Sequence, residues 1–584
     1  THYARSKQIL LRPKKQLKPH QAAALDAVQK GLAIADRGKM VMACGTGKTL
    51  TSLKIVEKLA WANKQVLFLV PSLSLMSQTI TEWTVESATS LRSFAVCSDA
   101  QVGRRRTGDD LADIDIHDLA YPATTNAGKL AEKMARPDES KMTVVFSTYQ
   151  SLQVISDAQK QYGLPDFDLI ICDEAHRTTG ATLAGDEESS FVRIHYQNYI
   201  AGAKRLYMTA TPRIFGDAIR TRAIEMDPTL ASMDNRDQYG ETLFELSFSY
   251  AVQKGLLTDY KVFVLAVDEA LVSEGALNRL KNNNNELVLD DATKIIGCYR
   301  ALAKLDIKTE LVADPQPMRR AVAFCHDIKR FKRIESEFTA VVDEYLKTFP
   351  LSETQSTVNC EVKHVDGTDN AIVRNNLLSW LKEDSPENTC RILSNARCLS
   401  EGVDVPALDA ILFLHPRKSQ IDVVQSVGRV MRRAEGKKMG YIILPIGVPT
   451  NISSEEALNS NGKYKVVWDT LNALRAHDDR FDATINKLGL GVDVSDHIEI
   501  TVVSNTLPTN PGPTVIGIGT EGGDEPGTPP VTPPPTQPAF NFDEFQKVFT
   551  PKSSRSVASE PIGRIGRMIL PVLQIRISHA LRFC

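Results

Sequence analysis

Short runs of consecutive apolar residues alternate with stretches whose apolar positions recur every three or four residues. In the first part of the chain the continuous runs are Met40–Ala43, Val66–Val70, Phe94–Cys97, Val144–Ser147, Leu169–Cys172 and Leu206–Met208. A second alternating region begins near Lys261, with runs at Val262–Val267, Ala321–Cys325, Val362–Val365, Ile392–Ser394, Ile411–Leu414 and Tyr441–Leu444. Runs without polar alternation predict strands buried on both faces, and helical stretches between them predict parallel sheets covered on both sides. A helix is predicted from about Pro19 to Ala35, with Ala23, Ala24, Ala27 and Val28 toward the core. The fold class expected is α/β, with two tandem parallel-sheet domains.

Elsewhere the pattern breaks. Gly108–Asp118 reads as an acidic surface loop, and Asn282–Asn285 as a polar loop within a helical insertion. Residues 455–490 are polar and helical in pattern, with Val466, Val467, Leu471 and Leu474 as the apolar positions. Between Pro508 and Pro538 stand ten prolines and six glycines in 31 residues, a composition that cannot bury a core. Within it, residues 517–522 mimic a dinucleotide fingerprint, but no strand–helix context surrounds them. The expected organisation is an extension over 1–16, a first domain over 17–255 and a second over 256–450. A helical extension over 451–500, a Pro/Gly-rich linker over 501–538 and a tail over 539–584 follow.

Composition narrows the class. At 584 residues, 42% hydrophobic and 24% charged, the chain fits a multidomain globular protein. No apolar run approaches the roughly 18 residues of a membrane helix, and no signal peptide opens the chain, which begins with Thr1. Nine cysteines without a CxxC pair argue for reduced thiols in a cytoplasm and against structural zinc. A net charge of −2 does not announce nucleic acid. The basic positions of residues 1–20, Arg104–Arg106 and Arg432–Arg433 are local candidates for backbone contact, or simply solvated surface.

The chemistry is organised around Met42-Ala43-Cys44-Gly45-Thr46-Gly47-Lys48-Thr49. A strand entering a Gly-containing turn and then a helix is a setting for phosphate. Backbone N–H groups receive the anion, Lys48 reaches the β/γ-phosphates and the Thr49 hydroxyl can ligate magnesium. Downstream, Leu169–Cys172 ends in Asp173-Glu174-Ala175-His176. Carboxylates at the end of a buried parallel strand sit where such folds place ligands. Asp173 can share the metal with Thr49, and Glu174 can orient and deprotonate a water. Thr209 and Thr211, just past another strand, offer hydroxyls to the segment containing His176 and could relay nucleotide state. Spacings of four and three place Gln425, Arg429 and Arg432 on one face of a predicted helix, with Val423, Val424, Val427, Val430 and Met431 elsewhere. Two arginines there could stabilise a transferring phosphoryl group. Gly428 within that helix costs about 1 kcal/mol relative to Ala, which points to a close approach. Gly402 and Asp404 lie in a polar loop that follows a strand; Gly402 permits a tight backbone and Asp404 can accept from a hydroxyl.

The ordered set resembles a superfamily-2 helicase/translocase of the DEAD/DEAH type, built from two RecA-like domains, over residues 17–445. Leu17–Gln21 is similar to the family's adenine-reading segment, which would make Gln21 the base contact. Cys44–Thr49 matches motif I and implies binding of ATP with Mg2+. Pro71 and Ser72 fall in a segment similar to motif Ia, Thr148 in a strand-contacting motif, Asp366 and Gly367 beside motif IV, and Asn395 at the start of motif V. The resemblance implies that these contact nucleic acid. It also implies ATP contacts for Gly402 and Asp404, motif II at Asp173–His176, motif III at Thr209–Thr211 and motif VI at Gln425–Arg432. The flavour is most similar to the motor part of type ISP restriction enzymes, and less so to type I and type III motors. The stretch Val467 to Arg480 extends that similarity beyond the core.

Met42 departs from the alanine common in that family. No segment before residue 17 has room for a nuclease, and no Asn-Pro-Pro-Tyr signature follows residue 450. The expectation is an ATP-hydrolysing motor on duplex DNA, with nuclease and methyltransferase modules in a longer parent chain or in partner subunits. An RNA helicase stands as an alternative, because motifs I to VI do not separate it from a DNA motor. A nucleotide-gated DNA-binding module with little turnover is a third reading, which Glu174, Arg429 and Arg432 count against.

Overall fold

The computed structural model describes residues 12–97, 123–136, 138–182, 191–215, 229–272, 288–305, 316–324, 328–352, 357–365, 371–395, 405, 407–415, 420–448, 465–478, 480–481, 483–484 and 498–503. Its first half contains α1 (Pro19–Ile34), β1 (Arg37–Met42), α2 (Lys48–Leu59), β2 (Gln65–Val70), α3 (Leu73–Glu86) and β3 (Leu91–Val96). Next come β4 (Ala123–Thr124), α4 (Ala127–Met134), β5 (Met142–Thr148), α5 (Leu152–Tyr162), β6 (Leu169–Cys172) and β7 (Gly180–Thr182). β8 (Arg205–Thr209), β9 (Thr229–Ala231), α6 (Arg236–Tyr239), β10 (Glu241–Leu246) and α7 (Phe248–Gln253) complete this half. The eight-stranded sheet runs β10-β1-β8-β6-β2-β5-β3-β4 with every pairing parallel.

The six apolar runs of the first region are strands of this sheet, and helices cover both of its faces. On one, Ala24, Val28, Leu53, Met76 and Trp83 pack on Met40, Phe68 and Phe146. On the other, Leu130, Leu152 and Ile155 pack on Leu67, Val145 and Ile170. Trp83 is fully buried, with its ring 5.0 Å from Phe68 and 5.5 Å from Phe146, both T-shaped, and its Nε1 donates to the carbonyl of Thr49 at 3.2 Å. The core of this face therefore bears on the start of α2.

The second half contains β11 (Asp259–Asp268), α8 (Val288–Leu302), β12 (Arg320–Phe324), α9 (Ile328–Thr348), β13 (Asn359–Val365), α10 (Ala371–Lys382) and β14 (Thr389–Asn395). It closes with β15 (Ala410–Phe413), α11 (Gln420–Val430), β16 (Met439–Val448), α12 (Lys465–Arg475) and β17 (Ile498–Val503). The seven-stranded sheet runs β13-β14-β12-β15-β16-β11-β17, again all parallel. α12 packs Val467, Leu471 and Leu474 against Val423 and Val427 of α11, so the helical extension braces that helix from behind.

Five of the described strands went unread in the pattern: the short β4, β7 and β9, and the longer β10 and β17. β10 (Glu-Thr-Leu-Phe-Glu-Leu) and β17 (Ile-Glu-Ile-Thr-Val-Val) alternate apolar with polar residues because each lies at a sheet edge. β17 ends at Val503, inside the stretch assigned by composition to the linker. Near the N-terminus Arg12, Lys14 and Lys15 are spent within the protein. Arg12 pairs with Glu86, Lys14 donates to the carbonyl of Ser87, and Lys15 reaches Glu82 at 3.1 Å and Glu86 through its backbone N–H at 2.6 Å. These cations clamp the leading segment to the end of α3. Arg104–Arg106, the 508–538 stretch and the tail lie outside the described residues.

Replacing Trp83 by Ala should cost about 3–5 kcal/mol, because a fully enclosed ring leaves a cavity that its neighbours fill only in part. Chemical denaturation of the purified chain measures this, and a loss under about 1 kcal/mol would show that the aromatic cluster does not set the stability of the first sheet.

Candidate nucleotide site

The loop after β1 is shaped by two glycines in left-handed backbone, Gly45 at φ 83° and Gly47 at φ 92°. Gly47 caps α2, so Lys48 and Thr49 open a helix whose first N–H groups lack partners within the helix. A Cβ at Gly47 would lie 2.3 Å from Nε2 of Gln21, and the left-handed backbone there favours glycine whatever the space. Gln21 is 4% exposed and fastened at both ends. Its Nε2 donates to the carbonyls of Gly47 at 3.2 Å and Thr46 at 3.4 Å, while its Oε1 accepts from Lys18 N at 2.8 Å. The residue expected to read a base thus also holds the loop from behind.

The carboxylates end β6. Asp173 and Glu174 are 6% and 9% exposed. Glu174 adopts φ 47°, ψ 48°, a conformation that costs a non-glycine residue energy and is concentrated at functional sites. The surroundings hold it there. Asp173 Oδ1 accepts from Glu174 N at 2.9 Å, Tyr149 donates its hydroxyl to the Asp173 carbonyl at 2.8 Å, and Asp173 N is bonded to the Leu69 carbonyl. Lys48 Nζ stands 3.8 Å from Glu174 Oε1, and His176 Nδ1 is 3.4 Å from Oε2. Burial would raise the Glu174 carboxyl, but Lys48, Arg177 and Arg429, with His176 when it is protonated, more than offset it and hold it below the usual range. Burial pushes His176 down to about 4, so the ring is neutral at neutral pH. Its Nδ1 also lies 3.1 Å from Thr209 Oγ1, which accepts from Thr211 N at 3.0 Å. The end of β6 and the end of β8 are thereby joined through hydrogen bonds.

The second domain reaches this site. A Cβ at Gly428 would sit 2.4 Å from Cys44 Cβ, and a Cβ at Gly45 would sit 3.1 Å from Arg432 Cγ. Gly428 is therefore the close approach expected from its place in α11. Ala43 and Cys44 pack in one apolar cluster with Val423, Val427 and Met431, and burial pushes the Cys44 thiol up, keeping it protonated. Arg429 acts electrostatically on Glu174, and Arg432 on Lys48. Gln425 is 4% exposed, and its Oε1 has no hydrogen-bond partner among the described residues. A buried acceptor left open at a cleft is what a ligand hydroxyl or water would satisfy.

Several sequence expectations land differently. α11 ends at Val430, so Arg432 lies beyond the helix rather than on its face, although Met431 N and Arg432 N still bond back to the carbonyls of Val427 and Arg429. Thr148 is fully buried and its hydroxyl is 2.9 Å from that of Ser151, so it offers no surface to a nucleic-acid strand. Pro71 is buried and its carbonyl accepts from Gln150; Ser72 caps α3 by accepting from Leu75 N. Asn395 ends β14. Asp366, Gly367, Gly402 and Asp404 lie outside the described residues. Sequence reasoning missed Tyr149, which fixes the Asp173 backbone; its position in the segment Ser147–Gln150 was the available signal.

A phosphate-type loop on one parallel sheet, facing an arginine-bearing helix of a second, defines the class. Residues 14–214 match the family model "Type III restriction enzyme, res subunit", and residues 303–434 match "Helicase conserved C-terminal domain". The chain carries the two tandem RecA-like domains of a superfamily-2 helicase/translocase. More particularly, it is similar to type ISP restriction-modification enzymes. The ATP-dependent type ISP enzyme LlaBIII bound to DNA is 40% identical, with a TM-score of 0.74, over 87% of this chain and 32% of that one. A nuclease-deletion mutant of LlaGI, in complex with a DNA substrate mimic, is 34% identical with a TM-score of 0.56, over 83% of this chain and 30% of that one. "Probable helicase A859L" of African swine fever virus (strain Badajoz 1971 Vero-adapted) is 27% identical over 463 residues, 79% of this chain and 44% of its own. The type I restriction enzyme EcoAI endonuclease subunit of Escherichia coli is 23% identical over 503 residues, 83% of this chain and 52% of its own. The chain thus spans about half the length of these curated relatives and about a third of the solved chains. Among the described residues no helix is long and apolar enough to cross a membrane.

Gly428→Val should force α11 off the loop at Cys44. Hydrogen exchange is expected to rise at residues 44–49 while the amides of β11 and β16 keep their protection; unchanged exchange at the loop would mean that the two domains do not bear on each other there.

Proposed function

We propose that the chain is the motor of a DNA-acting restriction or phage-defence system, hydrolysing ATP between its two domains to move on duplex DNA. The observation that carries this reading is the cleft itself. Lys48 and Glu174 of the first domain and Arg429 and Arg432 of the second gather around one loop. The residues fit a nucleotide with magnesium. Gly45 and Gly47 open the loop for phosphate oxygens, Lys48 supplies the cation for them, and Thr49 with Asp173 would hold Mg2+. When bound, the ion neutralises phosphate charge as it develops. Glu174, kept ionised by its cations, can take a proton from water, and its strained backbone fixes where that water must stand. Gln425 orients what lies between. Arg429 and Arg432 stabilise the charge that grows in the transition state.

Movement follows if nucleotide state alters the fit of α11 on the loop. His176, Thr209 and Thr211 would relay that change through the first sheet. DNA rather than RNA is favoured because the two type ISP relatives are bound to DNA or a DNA mimic. Pro71, Ser72 and Asn395, with Asp366 and Gly367, remain the proposed strand contacts, and Gln21 the proposed base contact. Any cleavage or methylation would come from modules in a longer parent chain or partner subunits.

Lys48→Ala should abolish ATP binding, whereas Glu174→Gln should bind ATP and lose turnover. Arg432→Ala should lower kcat by roughly 10³-fold or more with ATP affinity nearly unchanged, since its contact is made chiefly in the transition state. Equilibrium binding and steady-state ATPase rates measure both, and a Glu174→Gln protein with wild-type turnover would sink the assignment.

A further inference from the structure

α11 ends where its arginines begin to matter, and what holds that end is not in the helix. The last carbonyls of a helix have no partner within it. Here the carbonyl of Val430 and those of the two residues that follow it are taken from outside. Lys437 Nζ donates to the carbonyls of Val430 and Arg432, the latter at 3.1 Å. The carbonyl of Met431 accepts from Thr258 N at 2.7 Å, and Thr258 Oγ1 stands 3.5 Å from the carbonyl of Arg432. Arg433 Nη1 donates to the carbonyl of Gly255 at 2.6 Å. Gly255 to Thr258 is the segment that joins the two domains, and its Leu257 is buried in the same apolar cluster as Cys44 and Met431.

The return from α11 to β16 is built for this contact. Gly436 turns at φ 74°, bringing Lys437 back beneath the helix end. A Cβ at Gly440 would lie 2.7 Å from the carbonyl of Val430, so only glycine lets β16 start so close to the carbonyls that Lys437 serves. An ammonium at a helix carboxyl terminus is also favoured by the helix dipole.

We propose that Lys437 is a positioning residue for the motor site: with Thr258 it fixes the end of α11 to the interdomain segment and so sets where Arg432 stands against the loop at Gly45. This rests on the reading of the cleft as an ATPase site. Lys437 acts through α11 and Arg432, whose carbonyls its ammonium binds. Burial, opposed by Asp409 and reinforced by Arg432, pushes its ammonium down to about 8, as expected for a cation enclosed at this junction. The arrangement also gives the joining segment a task. When the second domain rotates, the end of α11 and residues 255–258 must travel as one piece, because three hydrogen bonds join them.

The test compares Lys437→Met, Lys437→Arg and Arg432→Ala in the full chain, reading kcat and ATP affinity separately, with circular dichroism and a denaturant midpoint for each protein. The expected pattern is a fall in kcat of about tenfold for Lys437→Met, with ATP affinity within about twofold of wild type, and recovery of most of that loss in Lys437→Arg. A Lys437→Met protein with wild-type kcat, beside an impaired Arg432→Ala, would overturn the proposal and leave the ATPase reading intact. Equal losses in Lys437→Met and Lys437→Arg would also overturn it, since the charge would not be what matters. Should Lys437→Met lose its fold, Thr258→Val removes only a hydroxyl at the same junction, and an unchanged kcat in that variant counts against the proposal. Wild-type turnover in Arg432→Ala would instead remove the ATPase reading on which it rests.

Discussion

Two carboxylates buried at the end of β6 cannot stay ionised without cations close by, and the site is arranged to meet that demand. Lys48 supplies one charge from within the first sheet. Arg177 adds to it from the same segment, and a smaller contribution crosses the cleft from Arg429 on α11. The electrostatics of Glu174 therefore depend on the position of the second domain, and a change in either is felt by the other. Glycines at 45, 47 and 428 serve this arrangement by letting backbone approach where a side chain would block it.

The surrounding fold carries that constraint outward. Trp83 ties the aromatic core to Thr49, Tyr149 ties the turn between β5 and α5 to Asp173, and Gln21 ties α1 to the loop. In the second domain α12 supports α11 from behind, and Arg480 joins Asp478 to Asp259 at the start of β11, with Tyr260 also bonded to Asp478. The segment from Val467 to Arg480, which resembled the family beyond the core, thus has a physical task in bracing the helix that faces the loop.

Much of this was legible in the residues. Strands buried on both faces are continuous apolar runs, so the central strands of both sheets could be read directly. β10 and β17 could not, because edge strands alternate with polar residues and look like loop or helix. Gly428 was legible as a close approach because glycine is costly in a helix interior, but its partner, Cys44, lies 384 positions away and no local pattern names it. The basic residues at 12–15 misled in the same way: charge is visible in sequence, whereas the buried Glu86 that consumes it is not. Arg432 was assigned to a helical face because periodicity carries on past Val430; the helix stops there, and Lys437 and Thr258 take the carbonyls at and beyond its end.

The central claim is that the cleft turns over ATP in response to DNA. Steady-state ATPase rates of the purified chain, measured without nucleic acid, with duplex DNA and with RNA of equal length, test it most directly. The account predicts low basal turnover that rises severalfold with duplex DNA and much less with RNA. Turnover that is absent in all three conditions, or that responds to RNA alone, would contradict it.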